Sequence, residues 1–305
     1  MASLREIKDR IGSVRSTLKI TSAMKLVASA KLRKAQRAIE ALRPYERTLA
    51  EVLAAVASSQ RADGNHFSDR FAEKPISDPP STTPTHDAAT AKGKTAIVAI
   101  ASNSSLCGGF NANAARLALE TIRACEGDVE VYPLGRKMAE ALKRAGYTAD
   151  QDYNDLVAHP SYDKSAALAR TLAERFQAGE LSRVVLVYNR FRSASSQEPV
   201  AEDYLPFGGE ILRCAQDDSG SAADYILEPD AEALVAQLLP QVMMLKFHAA
   251  VLDSVAAEQA ARTLAMQTAS DNAEDLLGEL TLEYNKGRQQ KITAEILDLL
   301  GGAAG

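Results

Sequence analysis

The sequence predicts an α/β protein: a long antiparallel coiled-coil hairpin made from the N- and C-terminal helices, with a Rossmann-like, mostly parallel α/β domain inserted between its halves. Three observations predict it. The apolar residues Leu4, Ile7, Ile11, Val14 and Leu18 alternate steps of three and four, the heptad spacing that keeps one seam of a helix against a partner. The same spacing returns at Val242, Leu245, Ala249, Leu252 and Ala256. Between the two, apolar runs suited to buried strands alternate with helical patterns.

The first helix is expected over residues 1–57. No Gly or Pro interrupts it between Gly12 and Pro44, where it should weaken before resuming through Leu49, Val52, Leu53 and Val56. No acidic residue lies between Asp9 and Glu40, so its outer surface is basic. The second helix is expected to start at Pro240, a residue suited to the first helical turn, inside a C-terminal segment spanning 229–305. Apolar residues continue through Leu264, Ala273, Leu276, Leu280, Ile292, Ile296 and Leu299, past Gly278 and Gly287, each costing roughly 1 kcal/mol relative to Ala. A run of about 60 residues at roughly 1.5 Å each reaches roughly 90 Å, more than a globular domain accommodates. Charged residues are spaced along it, so no 18-residue apolar stretch and no membrane span are expected. Residues 1–60 carry twelve Lys and Arg against five Asp and Glu, a balance of +7; residues 241–300 carry five against nine, a balance of −4. Opposite signs suit antiparallel pairing, although exposed ion pairs add little each.

Residues 58–94 hold Pro75, Pro79, Pro80 and Pro84 among Ser, Thr, Asp and Gly, the composition of a linker. The α/β domain, 95–228, opens with a strand at Thr95–Ala101 and the turn Ser102–Asn111, followed by a helix through Ala114, Leu117 and Ile122. A strand at Val129–Tyr132, helices at Arg136–Arg144 and Lys164–Gln177, and a strand at Arg183–Tyr188 follow; 200–206 and 210–214 suit antiparallel edge strands.

Candidate chemistry is sparse. The turn containing Cys107, Gly108 and Gly109 sits at the carboxyl end of a strand, where α/β folds bind ligands, yet neither G-x-G-x-x-G nor G-x-x-x-x-G-K-[ST] is present. Its adjacent glycines read as a structural turn, and no base neighbours Cys107 to make it a nucleophile. The four histidines, His66, His86, His159 and His248, have no paired spacing for zinc. Three cysteines without C-x-x-C spacing suit reduced thiols. The basic amphipathic start superficially suits a transit peptide, but the heptad continuing past Val14 assigns it to the fold. Nucleic acid binding lacks aromatic interleaving or a reading motif, so an acidic protein surface is the expected partner of the basic helix. No cofactor, no metal and no active site of its own are expected.

The segments Ser3–Arg33, Leu106–Asn111, Ala265–Ala273 and Leu280–Glu295 together resemble the gamma subunit of F-type ATP synthases, in the family's order and across both ends and the middle. The resemblance implies a central rotor stalk that couples proton flow through a ring of c subunits to ATP synthesis or hydrolysis in a ring of alpha and beta subunits. It implies the epsilon subunit as a further partner and a peripheral place on the cytoplasmic face of the bacterial inner membrane. By resemblance, Lys19, Ile20, Thr21, Met24, Lys25 and Val27 face the acidic ends of beta; Arg288 and Gln289 meet beta loops higher in the ring; Arg262 and Met266 pack the shaft. Three features depart from the family: the long 58–94 segment, the small-residue finish Gly301–Gly305, and Cys214 without the nearby second cysteine of a chloroplast-type dithiol. The rival readings are a coiled-coil scaffold of another assembly and a small-ligand enzyme whose α/β domain is active.

Overall fold

The structure, a computed structural model, describes residues 3–62, 93–125, 127–149, 151–206 and 231–302. The expected strand at 210–214, Cys214, His66, His86 and most of the proline-rich segment lie outside the described residues. The elements run α1 (Leu4–Ala62), β1 (Lys94–Ile100), α2 (Phe110–Ala124), β2 (Val129–Leu134), α3 (Arg136–Arg144), α4 (Asn154–Ala158), α5 (Tyr162–Gln177), β3 (Leu181–Phe191), β4 (Gln197–Leu205) and α6 (Ala231–Gly302). The chain forms two compact units, 1–31 with 262–305, and 32–261.

In the first unit the ends of α1 and α6 pair antiparallel. A Cβ at Gly287 would meet Leu4, and Thr21 is hydrogen-bonded to Ser270, so 17 residues forward in α1, from 4 to 21, answer 17 back in α6, from 287 to 270. Ile7, Thr21 and Ala28, seven or fourteen apart, are buried from α1; Arg262, Met266, Ser270, Ala273 and Leu280 are buried from α6. This is the pairing the heptads predict. Its register was not available from two apolar patterns of the same period.

In the second unit the sheet order is β2-β1-β3-β4. β1 pairs in parallel with β2 and β3, while β4 runs antiparallel along β3. Alternate residues of each strand feed two cores, since successive side chains point to opposite faces. Ile97, Ala99, Val131, Val185 and Val187 pack with Ala114, Ala118 and Ile122 of α2 and Met138 and Leu142 of α3. Val98, Ile100, Leu134, Val184 and Leu186 pack on the other side with Leu168 and Leu172 of α5, Val242, Met243 and Phe247 of α6, and Leu53 of α1. Within that layer His248 is buried, its Nδ1 3.0 Å from the Ser165 hydroxyl, and burial pushes its pKa down. A third cluster joins Leu32, Ala35 and Ile39 of α1 to Leu252, Ala256 and Ala260 of α6.

Three local expectations are corrected. α1 does not weaken at Pro44, and α6 starts at Ala231 with Pro240 inside it. An interior proline costs about 3 kcal/mol, but both prolines are exposed, while Leu42, Leu49, Leu53, Leu239 and Val242 around them pack into the cores. Burial on one side of the helix outweighs the break on the other. The third correction is that α6 does contain an 18-residue window of mean hydropathy 1.3, half of it buried. The buried face of α6 against the sheet, from Val235 to Val251, accounts for apolar residues there. The five-residue α4 escaped periodicity because it is barely over one turn; Asp152, whose carboxylate accepts from the Asn154 N–H at 2.8 Å, was its sequence signal.

Gly135 joins β2 to α3 with φ of 99°, a region an L side chain rarely adopts, and a Cβ there would stand 2.1 Å from the Ala101 carbonyl oxygen. That closeness brings the carboxyl ends of β1 and β2 together: Ala101 N–H donates to the Leu134 carbonyl and Lys137 N–H to that of Ser102. Gly135→Ala should therefore destabilise the sheet unit by about 1–3 kcal/mol from backbone strain alone, with more from the clash, read as a lowered urea midpoint of the purified chain.

Candidate functional site

The carboxyl ends of β1 and β3 flank the point where the chain, having placed β2 on one side of β1, returns to place β3 on the other, the usual ligand crevice of such sheets. Here the chain fills the crevice itself. Leu106 and Gly108 take φ of 67° and 58°, turning Cys107 inward. Its Sγ accepts from the Asn111 side-chain amide at 3.1 Å, and Asn111 Oδ1 accepts from the Ser102 N–H at 3.0 Å. Cys107 and Phe110 then pack on Ala257 and Ala261 of α6, with Phe191 against them. A helix with alanines at two positions four apart presents a flat face close to this turn. The thiol is spent on packing, and α2 starts from Gly109 without a side-chain cap.

Two other concavities of the second unit carry charge. One of about 560 Å³ lies beside Tyr132 and Tyr153, where Arg175 binds Glu130 at 2.6 Å and Glu180 at 2.8 Å, and Lys164 pairs with Asp155. Arg175 holds the Glu130 carboxyl down to about 2, and burial pushes the Tyr132 hydroxyl up. These ionic groups answer one another. The other, about 200 Å³, is lined by Arg43 and Glu46 of α1, Arg190 of β3, Glu202 of β4, and Lys246 and Asp253 of α6. It is smaller than the ~300–1,000 Å³ typical of small-molecule sites. Asp253 Oδ1 is buried without a hydrogen bond, 4.0 Å from Arg43, and burial raises its pKa against the opposing pull of Arg43, Arg190 and Arg192. Among the described residues no three His, Cys, Asp or Glu side chains gather as a metal site.

The residues singled out on the shaft occupy different positions in the first unit. Lys19, Arg288 and Gln289 are exposed, as are Ile20 (60%) and Val27 (57%). Met24 is half-buried, and Lys25 reaches across to donate to Gln267 Oε1 at 2.6 Å. Thr21, Arg262 and Met266 are buried in the pairing. Nine of the twelve large hydrophobic residues exposed among the described residues belong to this unit: Ile20, Leu26 and Val27 on α1, and Leu264, Leu276, Leu282, Ile292, Ile296 and Leu297 on α6. Leu264, Leu276, Ile292 and Ile296 continue the apolar pattern of α6 in sequence but stand outside the seam. Leu26, Leu282 and Leu297 were missed altogether; the signal was an apolar row off the heptad positions. Beyond Gly287, which lies against Leu4 at the start of α1, residues 288–297 of α6 are all exposed. Arg288 and Gln289 are thus the first residues past the paired stretch.

A family model described as ATP synthase matches residues 3–305. The chain is 45% identical over 307 residues to the ATP synthase gamma chain of Bacteroides fragilis, covering 99% of each, and 36% identical over 306 residues to that of Flavobacterium johnsoniae, covering 99% of this chain and 98% of the relative.

The chain belongs to the ATP synthase gamma-chain family.

Its fold also matches chains of solved mitochondrial ATP synthase structures. A chain of the Euglena gracilis mitochondrial ATP synthase superposes with a TM-score of 0.62 at 20% identity, covering 99% of this chain and 93% of that one. One from the central stalk and c-ring structure of the Tetrahymena thermophila mitochondrial ATP synthase gives 0.54 at 22%, covering 82% and 99%. At these identities the likeness is one of fold.

Asp253 gives a test of the inner charge balance. Its raised pKa means the folded chain holds that proton more tightly than the unfolded one, so the ionised carboxylate weakens the fold at neutral pH and the penalty fades as pH falls through the raised value. Asp253→Asn should raise the stability of the purified chain at pH 7, an advantage that shrinks toward pH 4 in urea melts.

Proposed function

We propose that this chain works mechanically, as the rotor stalk of an F-type ATP synthase that carries torque between a proton-driven c-ring and a catalytic ring of alpha and beta subunits. The observation that carries the reading is the apolar, solvent-facing surface of the first unit, above all the bare stretch of α6 from residue 288 to 297 with Ile292, Ile296 and Leu297 exposed. Contiguous exposed apolar surface marks a place that a partner covers. Torque transmission needs contacts that differ between the states of the surrounding subunits, because an equal grip on every state shifts no equilibrium. A two-helix shaft supplies that difference through its asymmetry: α1 presents Lys19, Ile20 and Val27 outward on one side, and α6 presents Leu264, Leu276 and Leu282 on its own.

Within this reading Lys19, Ile20, Thr21, Met24, Lys25 and Val27 form the segment that works against the acidic ends of beta, with Thr21 and Lys25 doing so from within the helix pair. Arg288 and Gln289 meet beta loops beyond the paired stretch, and Arg262 and Met266 hold the shaft together. Residues 1–57 and 229–305 serve as shaft, and residues 95–228 as the base that meets epsilon and the c-ring at the cytoplasmic face of the inner membrane. The turn at Cys107, Gly108 and Gly109 anchors the base to the helix passing it, with packing in place of ligand binding. ATP chemistry belongs to the partners. Affinity purification of the chain from its source cells tests the assignment: alpha, beta, epsilon and c subunits should accompany it, whereas an isolated chain with turnover of its own would overturn it.

Arg288 is the sharpest single test. Its guanidinium is a rigid fork of five N–H donors on an exposed helix face, and removal of one charged hydrogen bond costs about 1.5–3 kcal/mol. Arg288→Ala should leave the hairpin folded while lowering complex yield or the coupling of hydrolysis to pumping. Arg288→Lys should restore only part, because a point-like ammonium does not reproduce the fork. Complex yield, ATP hydrolysis and ATP-driven proton pumping measured side by side check this, and wild-type values in all three for the alanine variant remove Arg288 from the torque-bearing contact.

A further inference from the structure

The two rows of α1 that follow the heptad read Ile7, Val14, Thr21, Ala28, Ala35 and Leu4, Ile11, Leu18, Lys25, Leu32, Ile39. Each row is apolar except at one place, and the two exceptions, Thr21 and Lys25, are four residues apart on the same stripe. Both find polar partners on α6. Thr21 Oγ1 lies 2.8 Å from Ser270 Oγ with both residues buried, at 8% and 5% exposure. Thr21 Oγ1 also donates to the Leu18 carbonyl at 3.1 Å, which leaves its lone pairs open to a proton from Ser270. Lys25 Nζ donates to Gln267 Oε1 at 2.6 Å, and Gln267 Nε2 in turn donates to Asp271 Oδ1 at 2.6 Å, which sets the orientation of the amide. A cation on α1 and a carboxylate on α6 are therefore bridged through one side chain, next to a buried hydroxyl pair.

We propose that Thr21, Lys25, Gln267 and Ser270 form the register lock of the shaft, a polar layer that stops α1 and α6 sliding past each other under torque. The proposal rests on the rotor reading for its purpose and on the geometry of the layer for its action. Apolar contacts are non-directional, so a seam of Leu, Ile, Val and Ala resists separation well and a shift by one heptad poorly. Hydrogen bonds are directional and fail within a few tenths of an ångström and some tens of degrees. Moving α6 by seven residues brings Leu277 and Glu274 opposite Thr21 and Lys25 in one direction, and Thr263 and Ala260 in the other, so neither slip gives both residues a polar partner. Fixing register is the best-attested use of a polar layer in a largely apolar helix pair. None of the four needs to touch a stationary subunit to do this, so they act as positioning residues for the exposed side chains further along each helix.

The test replaces only the α6 side of the layer, leaving the α1 segment intact. Leu4→Cys with Gly287→Cys reports the register, because a Cβ at 287 would stand 3.0 Å from the Leu4 side chain. In the assembled ATP synthase the yield of the 4–287 disulfide is read by mass spectrometry, and pumping per ATP hydrolysed is read in parallel without the cysteines. With Gln267→Leu and Ser270→Ala the disulfide yield should fall by roughly threefold or more, and the pumping ratio should fall with it. Gln267→Glu with Ser270→Thr keeps an acceptor for Lys25 and a hydroxyl for Thr21, and should restore both readouts. Wild-type disulfide yield and pumping ratio in the leucine and alanine variant overturn the lock, as does a loss of assembly that the glutamate and threonine variant fails to repair. If the wild-type chain does not support pumping in a complex that lacks its gamma subunit, the rotor reading falls, and the disulfide comparison in the full chain still decides the lock.

Discussion

Everything in this molecule depends on pairing a helix near the start of the chain with one near its end. Thr21 and Ser270 are 249 residues apart, and bringing such distant segments together costs chain entropy that no local contact repays. The cost is met piecemeal. In the sheet unit Leu32, Ala35 and Ile39 pack on Leu252, Ala256 and Ala260, and Leu53 joins Val242 and Phe247 over the sheet. In the other unit the pairing has no sheet to lean on, so buried residues as small as Ala28 and Ala273 let the two backbones approach.

The dependence runs the other way as well. A parallel sheet must be covered on both faces, and here one cover is α6, whose residues from Val235 to Val251 lie over the strands. The α/β unit is thus not a self-sufficient domain with a rod attached, because its core includes parts of both terminal helices. The same arrangement closes the ligand crevice, since Ala257 and Ala261 occupy it together with Cys107 and Phe110. A fold often used for binding nucleotides has exchanged that capacity for a firm hold on a helix.

Period and alternation made the architecture legible. The strands at 95–101, 129–132 and 183–188 and the helix at 136–144 stand where their apolar patterns place them, within a few residues. What could not be read was set by tertiary contact. Pro44 and Pro240 are breakers by local chemistry and lie inside continuous helices because their neighbours are anchored. Gly135 looks like any turn glycine until the Ala101 carbonyl is found beside it. On the shaft, sequence motifs drew attention to Lys19, Arg288 and Gln289, which are exposed. Periodicity alone assigned Leu264, Leu276, Ile292 and Ile296 no separate role, since an apolar residue reads the same on either side of a helix. The missing information was register: which α6 residue stands opposite each α1 residue decides what is left outside.

The constant step between Leu4 opposite Gly287 and Thr21 opposite Ser270 also limits how such a chain can change over evolutionary time. One residue inserted into α1 turns everything beyond it by about 100°, carrying Leu32 and Ile39 off the cluster they share with Leu252 and Ala256. A compensating insertion in α6 would have to arise at the facing level, more than two hundred positions away in the gene. Drift along the two rods is therefore confined to substitution, and gains or losses of length are displaced to the connections between elements of the intervening chain.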